Sequence, residues 1–198
     1  MRTPYPGYDV LAKWDSPSFN AATREVLAVR LAPPPPFRFF SADEAKLLQA
    51  VIERLLPQPD RAEPIPVAAW IDAYLFEGQD QGYRDSRMPP RAESWRRGLA
   101  GIGAEAERRF STPFVELGPE PQDEVLQAVQ RGETDAEPWG GMDPRRFFVD
   151  DLLTLAAQLY YTHPDAWSEI GFGGPASPRG YVRMGFGESD PWEARLQR

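Results

Sequence analysis

The chain alternates between stretches where apolar residues recur every three or four positions and stretches broken by proline and glycine. Such recurrence marks helices with one buried face. The first clear case opens with Ser41-Ala42-Asp43-Glu44, a serine N-cap with a glutamate three residues on, which is a capping box. Ala45, Leu47, Leu48, Val51, Ile52, Leu55 and Leu56 follow, and Pro57 and Pro59 stop the run. A second helix is predicted to open at Pro66, carry Val67, Trp70, Ile71, Tyr74 and Leu75, and close at Gly78. In the third, Ala92, Trp95, Leu99, Ile102, Ala106 and Phe110 step by threes and fours. Gly98, Gly101 and Gly103 each weaken that helix by about 1 kcal/mol relative to Ala, and would let a neighbour come close. A fourth helix runs from Pro119 to Gly132 with Val125, Leu126 and Val129 inward.

A polar, Gly-rich link from Glu133 to Met142 leads to Asp143-Pro144, an N-cap followed by proline at the first helical position. The helix it opens carries Phe147, Phe148, Leu152, Leu155, Ala156, Leu159 and Tyr160. This broad apolar face predicts the centre of a bundle, and Pro164 is expected to end the helix. The two ends of the chain differ from this middle. Residues 1–37 form an irregular lead with a short helix from about Asn20 to Arg30, then a polyproline spacer, Pro33-Pro34-Pro35-Pro36. The tail from Thr162 holds six Gly and four Pro, yet also Trp167, Phe172, Tyr181, Phe186 and Trp192. A disordered tail would be poor in aromatics, so the pattern predicts a packed, irregular strap. The expected architecture is all-α. It is one domain overall, with a lead over 1–37, a bundle of about five helices over 38–163 and a C-terminal strap over 164–198.

At 198 residues the chain can bury a core without disulfide or metal staples. It has no Cys and one His, which excludes disulfides, thiolate zinc sites, iron–sulfur clusters, Cys-based haem attachment and a His-rich metal site. The net charge of −8 argues against nucleic-acid binding, which needs a basic footprint. The cations are twenty Arg and only two Lys, Lys13 and Lys46. No run approaches the roughly 18–20 apolar residues of a membrane span, and the first thirty residues show no apolar signal region. The expected location is therefore the cytoplasm, with the periplasm reached only alongside a partner.

Candidate chemistry is sparse. Gly171-Phe172-Gly173-Gly174 imitates a phosphate loop, but no strand precedes it, and Pro175 and Pro178 prevent a helix from opening there. Those glycines are expected at tight turns. His163, beside Pro164, is expected to interact with carbonyls at the end of the central helix, with contact to a partner's active site as an alternative. Asp150 and Asp151 lie about 100° apart on a helix and do not converge, so solvated or Arg-paired carboxylates are expected. Arg145 and Arg146 occupy the first turn of the same helix, either exposed or facing a partner's acidic groups. The tail set Trp167, Phe172, Arg179, Tyr181, Arg183 and Trp192 has the residue types of interface anchors: the rings are expected to fill pockets on a partner and the arginines to pair with its carboxylates, with packing on the chain's own bundle as the alternative.

In order, the motifs are the capped helix ending Leu55-Leu56-Pro57, Trp70-Ile71-Asp72-Ala73-Tyr74-Leu75, Trp95-Arg96-Arg97-Gly98-Leu99, Arg109-Phe110-Ser111-Thr112-Pro113-Phe114, and His163-Pro164 before Trp167-x-x-Ile170-Gly171-Phe172-x-Gly174-Pro175. This series, over roughly residues 38–185, resembles the gluconate 2-dehydrogenase subunit 3 family. The resemblance implies a small accessory subunit without a cofactor of its own, neither catalytic nor metal-binding. Its partner would be a large FAD-containing oxidoreductase of the glucose-methanol-choline (GMC) type, in a complex that a cytochrome c subunit can complete. Two features depart from the family pattern. Many members begin with a twin-arginine export signal, which the first residues here lack. Many also carry a Gly-Gly-Asn segment before the tail tryptophan, where His163 and Trp167 here are only four apart. Two other readings stay open: a free-standing helical interaction module with an unrelated partner, and an enzyme using His163 with Asp150 or Glu169.

Overall fold

Where apolar residues recur at helical spacing, the chain is helical. The computed structural model describes residues 4–78, 85–175 and 192–195. The helices are α1 (Ala21–Arg30), α2 (Ala42–Leu55), α3 (Val67–Phe76), α4 (Arg91–Phe110), α5 (Pro119–Arg131), α6 (Pro144–Arg146, Phe147–Leu153 and Thr154–Tyr160 in succession) and α7 (Pro164–Ile170). Among the described residues there is no strand, so the all-α expectation holds, with about seven helices instead of five. The Ser41 box forms as predicted: Glu44 N–H donates to Ser41 Oγ at 3.3 Å, and Ser41 N–H donates to Glu44 Oε2 at 2.8 Å. Gly132 closes α5 in the left-handed region at φ 69°.

The helix not foreseen is α7. Pro164 was expected to end a helix. It stands instead at the first position of a new one, where its missing N–H costs nothing. The strap therefore begins as a helix. Within α6 the turns widen to π-helical from Phe147 to Leu153, and Thr154 Oγ1 donates to the Val149 carbonyl at 2.7 Å. Apolar spacing carries no signature of such an insertion.

By its internal contacts the chain falls into two compact units, one over Pro34–Leu159, the other joining the described residues of Met1–Pro33 and Tyr160–Arg198. The division falls inside the polyproline run.

In the 34–159 unit the hub is α4, not α6. It packs on α2, α5, the Phe114–Glu116 and Glu137–Trp139 turns and the wide turns of α6. Trp95, Leu99, Ile102 and Ala106 line its buried face. Two of its three glycines admit close neighbours, and these are aromatic rings, while a Cβ on Gly103 would meet only Leu47 at 3.8 Å: Phe147 lies so tightly over Gly98 that a Cβ there would overlap the ring. At Gly101 a Cβ would stand 2.5 Å from Cε2 of Trp139. Trp95 and Phe147 meet edge to face at 5.7 Å.

Two buried carboxylates hold this unit from inside. Asp72, fully buried in α3, accepts from the backbone N–H groups of Arg38, Phe39 and Phe40 at 2.7, 3.0 and 2.9 Å, which fixes the approach to α2. Glu105 in α4 is buried beneath Arg108, which donates to it at 3.0 and 2.6 Å, and Arg109. Burial pushes the Glu105 carboxyl up, and the hydrogen bonds from both guanidinium groups more than offset that, holding it below the usual carboxylate range.

The other unit has little regular structure and a small core. Val10, Phe19, Leu27 and Trp167 are buried together, with Tyr8, Leu11 and Trp14 against them. The lead and the tail thus build one unit between them, with α7 packed on the Val10–Lys13 turn.

Candidate functional site

The tail set comes out divided. Trp167 is 5% exposed, buried against Val10, Phe19 and Leu27. Its indole N–H donates to the Tyr161 carbonyl at 2.6 Å, and the Arg30 guanidinium lies 5.8 Å from its ring. Of the two expectations for the tail rings, Trp167 follows self-packing: its ring is spent on the core of its own unit. Phe172 meets Trp167 edge to face at 5.3 Å but remains 42% exposed. Trp192 is half-buried, and its carbonyl accepts from Tyr8 Oη at 3.2 Å. Arg179, Tyr181 and Arg183 lie outside the described residues.

The glycines near Phe172 serve this packing. Gly171 takes φ 70° as the left-handed cap of α7, and a Cβ on it would stand 2.6 Å from the Tyr5 ring. Gly174, at φ 79°, leaves a Cβ only 3.2 Å from both Phe19 and Trp167. The carbonyl of Gly173 accepts from Lys13 Nζ. The run therefore closes a helix C-terminus, whereas a phosphate loop would open an N-terminus.

His163 sits at the N-cap of α7, and its Nδ1 accepts from the Asp165 N–H at 3.2 Å. The expected interaction with carbonyls ending the previous helix is corrected to N-capping of the next one. The ring is buried, with the Asp165 carboxylate 3.7 Å from Nδ1. Glu169, named with His163 in the enzyme reading, accepts from Tyr160 Oη at 2.7 Å. Both have structural work within their own unit.

The Asp150–Asp151 pair is split. Asp150 faces solvent, while Asp151 accepts from the buried Ser94 hydroxyl at 2.5 Å. Desolvation pushes the Asp151 carboxyl above its ordinary range, against the lowering effects of the Ser94 hydrogen bond and the charge of Arg91. Asp151 is therefore not a fully solvated carboxylate: it is half-buried, bonded to Ser94 and under the charge of Arg91. Arg145 pairs with Asp143 at 3.3 Å and Arg146 with Asp85, so both have partners within the chain.

Sequence reasoning passed over Asp72 and Lys13. The signal for Asp72 was a lone carboxylate in the otherwise apolar and aromatic run Val67–Phe76. Such a group folds inward only when donors await it. Lys13 is buried despite its charge, 5.1 Å from the centre of the Phe19 ring, and nothing local foretold its tail carbonyl partner.

Two surfaces could meet a partner. In the 1–33 and 160–198 unit, Tyr161, Ile170 and Phe172 are exposed, as are Val26 and Val29 of α1. In the 34–159 unit, a groove of about 450 Å³ has Leu47, Phe114 and Val115 among its lining, with the carboxylates of Asp43, Glu107 and Glu116. Among the described residues no group of three or more His, Asp or Glu is placed to hold a metal ion, and no helix is long and apolar enough to cross a membrane.

A profile of the family described as gluconate 2-dehydrogenase subunit 3 matches residues 42–174. The matched stretch runs from the first residue of α2 to the glycine that packs on Phe19 and Trp167. No curated protein and no solved structure matches the chain.

Proposed function

The chain belongs to the gluconate 2-dehydrogenase subunit 3 family, and we propose that it is a non-catalytic accessory subunit that binds and stabilises a large FAD-dependent dehydrogenase of the GMC type. The substrate of that partner would be a sugar, a sugar acid or a related alcohol. The family match over residues 42–174 is the observation that carries this reading. The site geometry is compatible with it: His163, Glu169 and Asp151 are each engaged in holding the fold. On this reading the flavin of the partner supplies the redox chemistry. The residues of this chain supply shape and contact.

The docking residues proposed on the tail are those that remain outward, Phe172 and Ile170 with Tyr161. A stable interface buries about 1,600 Å² in total, so these residues would form only its centre. Deleting the tail from residue 165 would remove Trp167 and hence core, so point substitutions are the cleaner probe. Co-expression of the tagged chain with the flavoprotein encoded nearest to it, followed by size exclusion with an absorbance scan, tests the reading. A yellow species containing both chains is expected, with Ile170→Glu and Phe172→Glu lowering co-elution while the helical signal stays. Separate elution of the wild-type chains would overturn it.

A further inference from the structure

We infer that Arg38 and Arg96, lying over the rings of Phe76 and Phe39, form a second docking surface that takes an acidic segment of the partner protein. The inference rests on the accessory-subunit reading for the identity of that partner. Its own grounds lie in the 34–159 unit. The Arg38 guanidinium lies over the Phe76 ring, 4.1 Å from its centre, and that of Arg96 lies 4.6 Å from the centre of Phe39. Arg96 also donates to the Phe39 carbonyl at 2.9 Å.

The backbone beneath is rigidly held. Asp72 grips the N–H groups of Arg38 and Phe39, so the loop carrying one cation and one ring cannot drift. Both arginines are exposed, and Phe76 is 50% exposed beside Arg38. Among the described residues neither Arg38 nor Arg96 makes an ion pair. Elsewhere in the same unit arginines close on carboxylates, Arg54 on Asp123 at 2.6 Å and Arg108 on Glu105 at 2.6 Å among them.

Two uncompensated guanidinium groups thus stand on the surface of a chain whose net charge is −8. Contact with the rings restrains both guanidinium groups, so less rotamer freedom remains to be lost on binding. The remaining N–H groups suit carboxylates, in two-point contact at Arg38, and Phe76 adds apolar area next to Arg38. A nucleic acid would need a far more extensive basic footprint than two residues within an acidic surface. The open, solvent-facing position suits an extended protein segment rather than an engulfed small molecule.

Two measurements test the inference. In the first, the isotopically labelled full chain is titrated with hexaglutamate at low salt, and arginine side-chain N–H resonances are followed by NMR. Saturable shifts confined to the resonances that vanish in Arg38→Gln and Arg96→Gln, and abolished by high salt, are expected. Shifts spread evenly over all arginines, or none, would overturn the surface. In the second, affinity for the co-encoded flavoprotein is compared among wild type, the Arg38→Gln/Arg96→Gln double variant and an Arg131→Gln/Arg145→Gln control that changes net charge equally. The Kd of the first double variant should rise at least about tenfold with a shallower salt dependence, and that of the control should stay within about twofold. Wild-type affinity in the Arg38/Arg96 variant would overturn the surface and leave the accessory-subunit reading intact. Failure of the wild type to bind would overturn that reading, and the hexaglutamate titration alone would then decide the surface.

Discussion

Two tryptophans show how differently the two units are built. Trp95 lies at the centre of the 34–159 unit, fully buried on the hub helix among Phe40 and Phe147. Its indole N–H is buried without a hydrogen-bond partner in the structure. Trp167 is buried on a seven-residue helix, and its indole N–H donates to the Tyr161 carbonyl. One unit tolerates an unsatisfied donor because apolar packing around a long helix outweighs it. The other has a small core and relies on particular polar contacts, Lys13 Nζ donating to the Gly173 carbonyl and the Val10 N–H donating to Ser168 Oγ among them. Regular helices distribute their stability over many similar contacts. An assembly of lead and tail concentrates it in a few.

The largest expected effect breaks both cores. Trp95→Ala and Trp167→Ala should each cost about 3–5 kcal/mol in urea unfolding followed by circular dichroism. If Trp167→Ala costs less than about 1 kcal/mol, the small core is not what holds lead to tail. Asp72→Ala comes next. It leaves three backbone N–H groups without their acceptor, that of Phe40 buried and those of Arg38 and Phe39 partly so, and about 3 kcal/mol should be lost after partial relaxation. Asp72→Asn, which keeps one oxygen, should fall between that variant and wild type.

A smaller effect isolates close packing on the hub. Gly98→Ala gains about 1 kcal/mol in helix propensity, yet its new Cβ meets the Phe147 ring. A net loss of about 1–3 kcal/mol is expected, with partial recovery when Phe147 is shortened to Leu. Smaller again is the contrast between the tryptophans. Trp95→Phe removes an orphaned donor along with some ring, whereas Trp167→Phe deprives the Tyr161 carbonyl of a partner. Trp167→Phe should therefore be the costlier by about 1 kcal/mol. Equal costs would show that the two N–H groups matter alike.

What the sequence made legible follows the same division. Helices α2 to α5 were visible because their apolar residues recur at 3.6-residue spacing, and Ser41, Pro119 and Gly132 marked their ends. The wide turns of α6 were hidden, because Phe147, Phe148 and Leu152 fit an ordinary helix equally well. Choosing α6 as the hub followed its apolar breadth. The small residues Gly98 and Gly101 in fact make α4 the helix that others can approach. In the tail, glycine and proline were taken for irregularity, although Pro164 is also a helix starter. The pairing of Trp167 with Val10 and Phe19 joins positions about 150 residues apart, which no local pattern encodes. Trp167 therefore resembled an interface anchor: aromatic content signals burial without saying against what. Arg38 and Arg96 are inconspicuous among twenty arginines, and what sets them apart is a position over a ring without an ion pair, where Arg54, Arg108 and Arg146 close on carboxylates.

The smallest expected effects, opposite in sign, compare two carboxylates of the 34–159 unit. Glu105 is held below its ordinary range, so the folded state binds its proton more weakly than the unfolded chain does. Its stabilising contribution is full above the unfolded carboxylate pKa and is lost as pH falls through the folded value. Asp151 is held above its range, so the folded state favours the protonated form. Stability is lost there as pH rises through the folded value. Relative to wild type, Glu105→Gln should be less stable at pH 7 and converge on it towards acid. Asp151→Asn should match wild type in acid and become the more stable of the two as pH rises. Thermal unfolding of both variants between pH 3 and 7 checks this. Should Asp151→Asn be destabilised at pH 7, the Ser94 hydrogen bond to the charged carboxylate outweighs the cost of burying it, and the position of Asp151 beneath α4 is a net gain to the fold.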